Sequence, residues 1–216
     1  MAAAIIAFRE YADRHDLTPC FYEVSETHIP RYHDAGFALF KLGETALVKL
    51  ADFTTAGKRG EALRHSVNRA RRGGVSFELL EQPLPPALWP QLRGVSDAWL
   101  AEHHTAEKSF SLGNYNEGYL RRAPVAVARV ADRVVAFANL MPDYGSHAEL
   151  SIDLMRHHPD APAGTMDYLF VELLEYARRQ GYLYFNLGIS PLGGVGKTRY
   201  ARPSDCLLYT SDAADE

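Results

Sequence analysis

Cysteine is scarce in this 216-residue chain: Cys20 and Cys206 are its only two. They form neither a disulfide framework nor a metal-ligand spacing, and such usage fits a reducing, cytoplasmic setting. Long apolar runs are missing as well. No stretch approaches the ~20 residues that cross a bilayer. The opening MAAAIIAF has no basic region and meets Arg9 and Glu10 at once, so it does not read as a secretory signal. A complete phosphate loop is also absent. GGVGKT (193–198) ends as such a loop does, but the motif needs glycine at position 191, where the chain has Pro191, and no helical pattern follows. No segment repeats another. What is there is balanced: 47% hydrophobic, 23% charged and a net charge of -4. That is the composition of a soluble globular protein, long enough to bury a core as one large domain or two small ones.

Periodicity divides the chain into two cycles of mixed strand and helix. Residues 3–15 predict an amphipathic helix with Ile5, Phe8 and Ala12 on one stripe. PCFYEVS (19–25) predicts a strand, IPRYHDAG (29–36) a short helix closed by Gly36, and residues 37–50 a hairpin turning at Gly43-Glu44. The second cycle opens with VSFELL (75–80) as a strand. A helix over 85–103 follows, interrupted at Pro90, and then a hairpin over 124–141 turning at Ala131-Asp132. A strand over 148–155 leads into a helix with the cleanest stripe in the chain: Met166, Leu169, Phe170, Leu173, Leu174 and Ala177, capped by Gly181. A last strand covers 182–188. The tail CLLYTSDAADE (206–216) follows no period and reads like the translation of a sequencing-library adapter, a non-native tail.

Two places carry chemistry. In the strand at 148–155, alternation puts Glu149, Ser151, Asp153 and Met155 on one face and Leu150, Ile152 and Leu154 on the other. A half-exposed sheet gives that pattern too. Asp153, however, stands just before Arg156 and a helix N-terminus, where an anion binds and a carboxylate stays ionised. His157 and His158 adjoin it, but adjacent histidines followed by Pro159 do not readily share a metal, so no metal site is expected. The other place is the segment KRGEALRHSVNRARRGG (58–74), a helix with a narrow seam of Leu63, Val67 and Ala70. Arg64, Arg69, Arg71 and Arg72 lie on the remaining arc with Glu61 as the only acid. Such an arc is either a solvated face or a surface for a polyanion, RNA backbone or anionic lipid head groups.

In order, FREYADRH, FYEVS, LFKLGE, LRHSVNRARRGGVSFELL, EKSFSLG, VAFANL, ELSIDLMRHHPDAP, MDYLFVELL and FNLGISPL resemble the cytosolic C-terminal domain of phosphatidylglycerol lysyltransferases, the aminoacyl-phosphatidylglycerol synthases. SIDLMRHHPDAP and FSLG are the specific stretches. The resemblance implies an α/β (α+β) fold of tandem GNAT-like modules, both incomplete, joined by the basic helix. The later part of the first module would cover 1–57, the connecting helix 58–74 and the second module 75–205. It further implies that the chain lacks the closing elements of the second module. The strand at 182–188 would then have an unpaired edge, and the chain as written would be poorly soluble and inactive.

The function implied is transfer of a lysyl or alanyl group from aminoacyl-tRNA to a phosphatidylglycerol hydroxyl, at the cytoplasmic face of a bacterial membrane. An integral-membrane domain accompanies it in full-length members. The resemblance assigns Asp153 and Arg156 to catalysis; Glu149, Ser151, Asn186 and Lys108 are expected to bind substrate. Asp153 would either activate the hydroxyl or hold the donor's α-ammonium, and Arg156 would grip the lipid phosphate with its planar fork. No cofactor is implied. RHHPDAPAG stands where ordinary GNAT enzymes have their acyl-CoA loop, with prolines in place of pyrophosphate-binding amides. Three rival readings stay open: a tRNA-dependent transferase acting on a peptide or peptidoglycan amine, an acyl-CoA N-acyltransferase, and a non-catalytic module binding RNA or anionic membrane.

Overall fold

The computed structural model describes residues 1–107, 113–143 and 148–191. The 193–198 loop, the 206–216 tail and Lys108 lie outside the described residues. The chain divides into two compact units, one built on Met1–Glu44 and the other on Thr45–Ser190.

The smaller unit is helical. Helix α1 (Ala2–Arg14) buries Ile5 and Ala12, and a 3-10 turn (Glu26–His28) runs into the short helix α2 (Ile29–Asp34). Residues 19–25, expected as a strand, form none. Phe21 instead sits in an aromatic nest, with ring centroids 5.3 Å from Phe8, 4.9 Å from Tyr32 and 5.1 Å from Phe37. Edge-on packing of that kind rewards rings converging from several elements, which a flat strand cannot supply.

The larger unit holds a six-stranded sheet in the order β1-β6-β5-β4-β3-β2. Its strands are β1 (Gly43–Lys49), β2 (Val75–Leu80), β3 (Val125–Val130), β4 (Arg133–Pro142), β5 (Glu149–His157) and β6 (Tyr184–Pro191). The run from β2 to β5 is antiparallel, while β5 and β6 are parallel. The hairpin at Ala131-Asp132 forms as expected, with Ala131 at φ 52° in the left-handed region. The hairpin at Gly43-Glu44 does not form, because β1 pairs with β6, well over a hundred residues later. That pairing also corrects the expected free edge on the last strand: β6 lies between β1 and β5.

Helices cover both faces. On one side α3 (Glu61–Arg72) and α6 (Thr165–Arg179) pack with Leu150, Phe185, Leu169 and Leu173 in a shared core. On the other, α4 (Leu88–Glu102) packs Trp89, Leu92 and Val95 against Val125, Val127, Phe137 and Leu154. Pro90 interrupts nothing. It occupies the first turn of α4, where an N–H would have no helical partner. The basic helix α3 belongs to this larger unit. Gly164, at φ 88°, lets the start of α6 meet α3 so closely that an added β-carbon would come 2.2 Å from the Ser66 carbonyl oxygen. With an α4 layer, a register shift in the β4–β5 ladder, and a parallel β5-α6-β6 crossover, the larger unit has the GNAT-like α/β architecture that the resemblance implies.

Candidate functional site

The bulge lies in β5 and decides what the site contains. Leu140 pairs with Ile152 and Ala138 with Met155, so Asn139 faces two residues, Asp153 and Leu154. Strict alternation therefore fails at this point. Ile152 and Met155 both pack into the α6-side core, while Leu154 belongs to the α4-side core. Glu149, Ser151, Asp153, Leu154 and Arg156 all come to the α4 side. Met155, expected beside Asp153, is on the opposite face, and Arg156, three residues from Asp153, shares its face only because of the extra residue. Asn139, 1% exposed, holds the bulge: its Oδ1 accepts the Leu154 N–H at 2.7 Å.

Asp153 is exposed and accepts a hydrogen bond from Tyr119 Oη at 2.7 Å. Tyr119 stands on the single turn α5 (Glu117–Leu120), whose Asn116 cap accepts the Tyr119 N–H at 3.1 Å. Gly113 lies directly against the carboxylate, where an added β-carbon would come 2.7 Å from Asp153 Oδ2. Nearby, the described ladder between the parallel strands ends at Ser151–Asn186, so Asp153 lies beyond the fork where β5 and β6 part. At the fork Asn186 Nδ2 donates to Glu149 Oε1 at 2.7 Å, Ser151 Oγ donates to the Asn186 carbonyl at 3.4 Å, and Asn186 Oδ1 accepts the Gly188 N–H at 2.8 Å. Glu149, Ser151, Asn186 and Asp153 thus share one face of the sheet.

Arg156, expected as a phosphate fork, is buried with its guanidinium engaged by the protein. Its side chain is 5% exposed, and both arms are engaged: Nη1 and Nη2 each donate to a Glu107 carboxylate oxygen at 2.7 Å. Nη1 also donates to the buried Ser96 hydroxyl, and the guanidinium lies 5.0 Å above the Trp99 ring. Glu107 further accepts the Tyr115 N–H at 3.2 Å. The Arg156 guanidinium, with help from that amide, holds the Glu107 carboxyl below its ordinary value. Tyr115 itself is pushed up to about 12 by burial, and its Oη donates to the Trp89 carbonyl at 3.1 Å. Sequence reasoning missed Glu107 as a partner, although it stands in the quoted EKSFSLG.

The arginines of the basic helix differ in burial. Arg64 donates to the Thr55 and Gly57 carbonyls, and Arg71 donates to Glu172 at 3.0 Å beneath Tyr168. Arg64 is half-buried and fastens the fold, whereas Arg71 is exposed despite its partner. Arg69 and Arg72 are exposed, with one Arg72 nitrogen bonded to the Asn68 carbonyl. At the junction before α6, Thr165 Oγ1 donates to the Pro162 carbonyl at 2.6 Å, and Asp167 in the first helical turn accepts from Ser66. A carboxylate of the chain itself already stands at that helix N-terminus. His158 Nδ1 accepts the Asp160 N–H at 3.1 Å. Among the described residues no group of three potential metal ligands comes together, and no helix is long and apolar enough to cross a membrane.

Comparison with known proteins gives one consistent answer. A family model described as phosphatidylglycerol lysyltransferase, C-terminal, matches residues 1–210. The phosphatidylglycerol lysyltransferase of Bacillus subtilis (strain 168) is 40% identical over 190 residues, covering 88% of this chain and 22% of the relative. That of Staphylococcus aureus (strain COL) is 38% identical over 196 residues, covering 90% and 23%. The chain thus spans about a quarter of the length of these curated relatives. Among solved structures, L-PGS from Bacillus licheniformis superimposes with a TM-score of 0.82 at 40% identity, covering 97% of this chain and 65% of that one.

Proposed function

The chain belongs to the family of phosphatidylglycerol lysyltransferase C-terminal domains, and on that premise we propose that it transfers a lysyl or alanyl group from aminoacyl-tRNA to a hydroxyl of phosphatidylglycerol. The observation that carries this reading is the exposed Asp153, set out of register by the bulge and oriented by Tyr119 beside the polar fork of β5 and β6. The reaction is a transesterification. The lipid hydroxyl oxygen bonds to the aminoacyl carbonyl carbon, the ester bond to the tRNA ribose breaks, and the hydroxyl proton ends on the departing ribose oxygen. An exposed carboxylate with one oxygen fixed by a phenol suits either of two tasks. It takes the proton in transit, or it holds the donor's α-ammonium so that the carbonyl is presented to the hydroxyl.

Glu149, Ser151 and Asn186 supply donors and acceptors for the substrates at the fork, and Lys108 remains part of the proposed substrate-binding set. Arg69, Arg71 and Arg72 are the exposed arginines of the basic helix and face solvent where a polyanion, tRNA or the head groups of an anionic membrane, would meet them. Because charged tRNA is a cytoplasmic donor, the reaction belongs at the cytoplasmic face of the membrane. An acyl-CoA donor is disfavoured by Pro159 and Pro162, which lack amides, and by the Asp167 carboxylate where a pyrophosphate would have to sit.

The test is lipid extraction after incubating the purified chain with charged tRNA and phosphatidylglycerol vesicles. A new ninhydrin-positive lipid is expected, and the charged tRNA that yields it names the amino acid. Aminoacylation of an added peptide amine without modified lipid would overturn the reading. So would no transfer at all by a folded chain, because β6 lies between β1 and β5 and the free edge behind the expected inactivity is not there.

A further inference from the structure

The segment joining α4 to α5 has no regular structure among its described residues, yet it is tied to β5 at both ends. At its start Glu107 grips Arg156 with both carboxylate oxygens. Further along, Gly113 lies against Asp153 and Leu154, with an added β-carbon 2.7 Å from the carboxylate and 2.9 Å from Leu154 Cβ. The Tyr115 N–H returns to Glu107, and the Tyr115 ring stands edge-on to Phe137 at 6.3 Å. Asn116 then caps the turn that carries Tyr119 to Asp153. One carboxylate therefore anchors both ends of the path that leads to the reactive group.

We propose that Glu107 is a positioning residue: paired with Arg156 and the Tyr115 amide, it holds Gly113 and Tyr119 in place around Asp153. This rests on the role given to Asp153 above. The geometry suits the task. A bidentate fork fixes both distance and orientation, and Arg156 cannot turn to water from where it is buried. An amide at 107 would set two N–H donors against a guanidinium that is itself all donors, so the fork and the Tyr115 N–H could not both be satisfied.

The experiment compares the wild-type chain with Glu107→Gln, Asp153→Asn and the double variant. One readout, amide hydrogen exchange over residues 113–119, needs no activity. The other is kcat and KM for phosphatidylglycerol vesicles with charged tRNA. Glu107→Gln is expected to speed exchange at 113–119 about tenfold or more. It should lower kcat about 100-fold, the usual consequence of a misplacement near 1 Å, with KM changed less than about threefold. In the Asp153→Asn background the same change is expected to cost less than about twofold more, because the two act as a unit. Unchanged exchange, or an equal loss of kcat in both backgrounds, would overturn the proposal. If Glu107→Gln does not fold, Glu107→Asp keeps the charge on Arg156 but cannot reach both arms. It should fold and lose about tenfold in kcat, and wild-type kcat in it would equally overturn the proposal. A wild-type chain that makes no aminoacyl-lipid would refute the functional reading, while the exchange measurement would still decide the role of Glu107.

Discussion

Replacing Asn139 with alanine should show how much of the site depends on the bulge. Asn139 is almost wholly buried, and its Oδ1 is the acceptor for the Leu154 N–H, the backbone donor that the bulge takes out of the ladder. Alanine leaves that amide in the core without a partner. An orphaned buried donor costs about 1–3 kcal/mol, and about 2 kcal/mol is a reasonable centre for one short, neutral hydrogen bond. For a chain of this size each kcal/mol moves Tm by about 2–4 °C, so Asn139→Ala should melt roughly 4–8 °C below wild type. Activity should fall further than unfolding explains, because Asp153 and Leu154 are the two residues opposite Asn139. Thermal melting by circular dichroism gives the first quantity, and aminoacyl-lipid formation well below the melting range gives the second. A Tm within about 1 °C of wild type, with full transfer, would refute the idea that this amide group holds the bulge.

Asp153→Asn should fold normally and lose at least about tenfold in aminoacyl-lipid formation, since a general base contributes ~10²–10⁴-fold; a lipid-product assay beside a melting curve checks both halves. Reversing Arg69 and Arg72 to Glu should lower the log–log salt slope of tRNA binding by roughly 1.4–1.8, at about 0.7 to 0.9 per phosphate contact. Reversing Arg64 as well should change that slope little but destabilise the fold, because that half-buried arginine binds the protein's own carbonyls. Tyr115 is raised from 10.0 to about 12 by burial. Its contribution to stability is therefore complete below pH 10 and lost as the pH climbs through about 12. Urea unfolding across that window should show wild type losing stability more steeply than Tyr115→Phe.

Elements whose partners are near in sequence were legible. The stripe of α6 and the hairpin of β3 and β4 follow from local periodicity and one tight turn, and both stand where the pattern put them. Where the partner is distant, local pattern misleads. Residues 43–49 look like half of a hairpin, but their hydrogen bonds go to β6. Phe21 looks like a strand residue, but it is held by rings from three other segments. The site divides the same way. Asp153 was legible as a carboxylate at a strand end before a helix. Arg156 was legible as a neighbour of the site but not in its engagement, since a period of two cannot count through a bulge and Glu107 lies 49 residues away. Glu107, Tyr119 and Asn139 left no signal of spacing, because three separate elements bring them to β5.

The bulge also bears on how readily such a chain could lose its chemistry while keeping its shape. Without Asp153, β5 would read Glu149, Leu150, Ser151, Ile152, Leu154, Met155, Arg156 and His157. Plain alternation would then place Leu154 and Arg156 towards α4, and Ile152 and Met155 towards α6, the faces they already occupy. The proposed reactive residue is thus the inserted one. Loss of a single codon would straighten the strand, return Leu154 to an ordinary rung opposite Asn139, and delete the carboxylate without re-siting any neighbour. A descendant that kept the sheet as a binding surface and abandoned transfer would lie one in-frame deletion away.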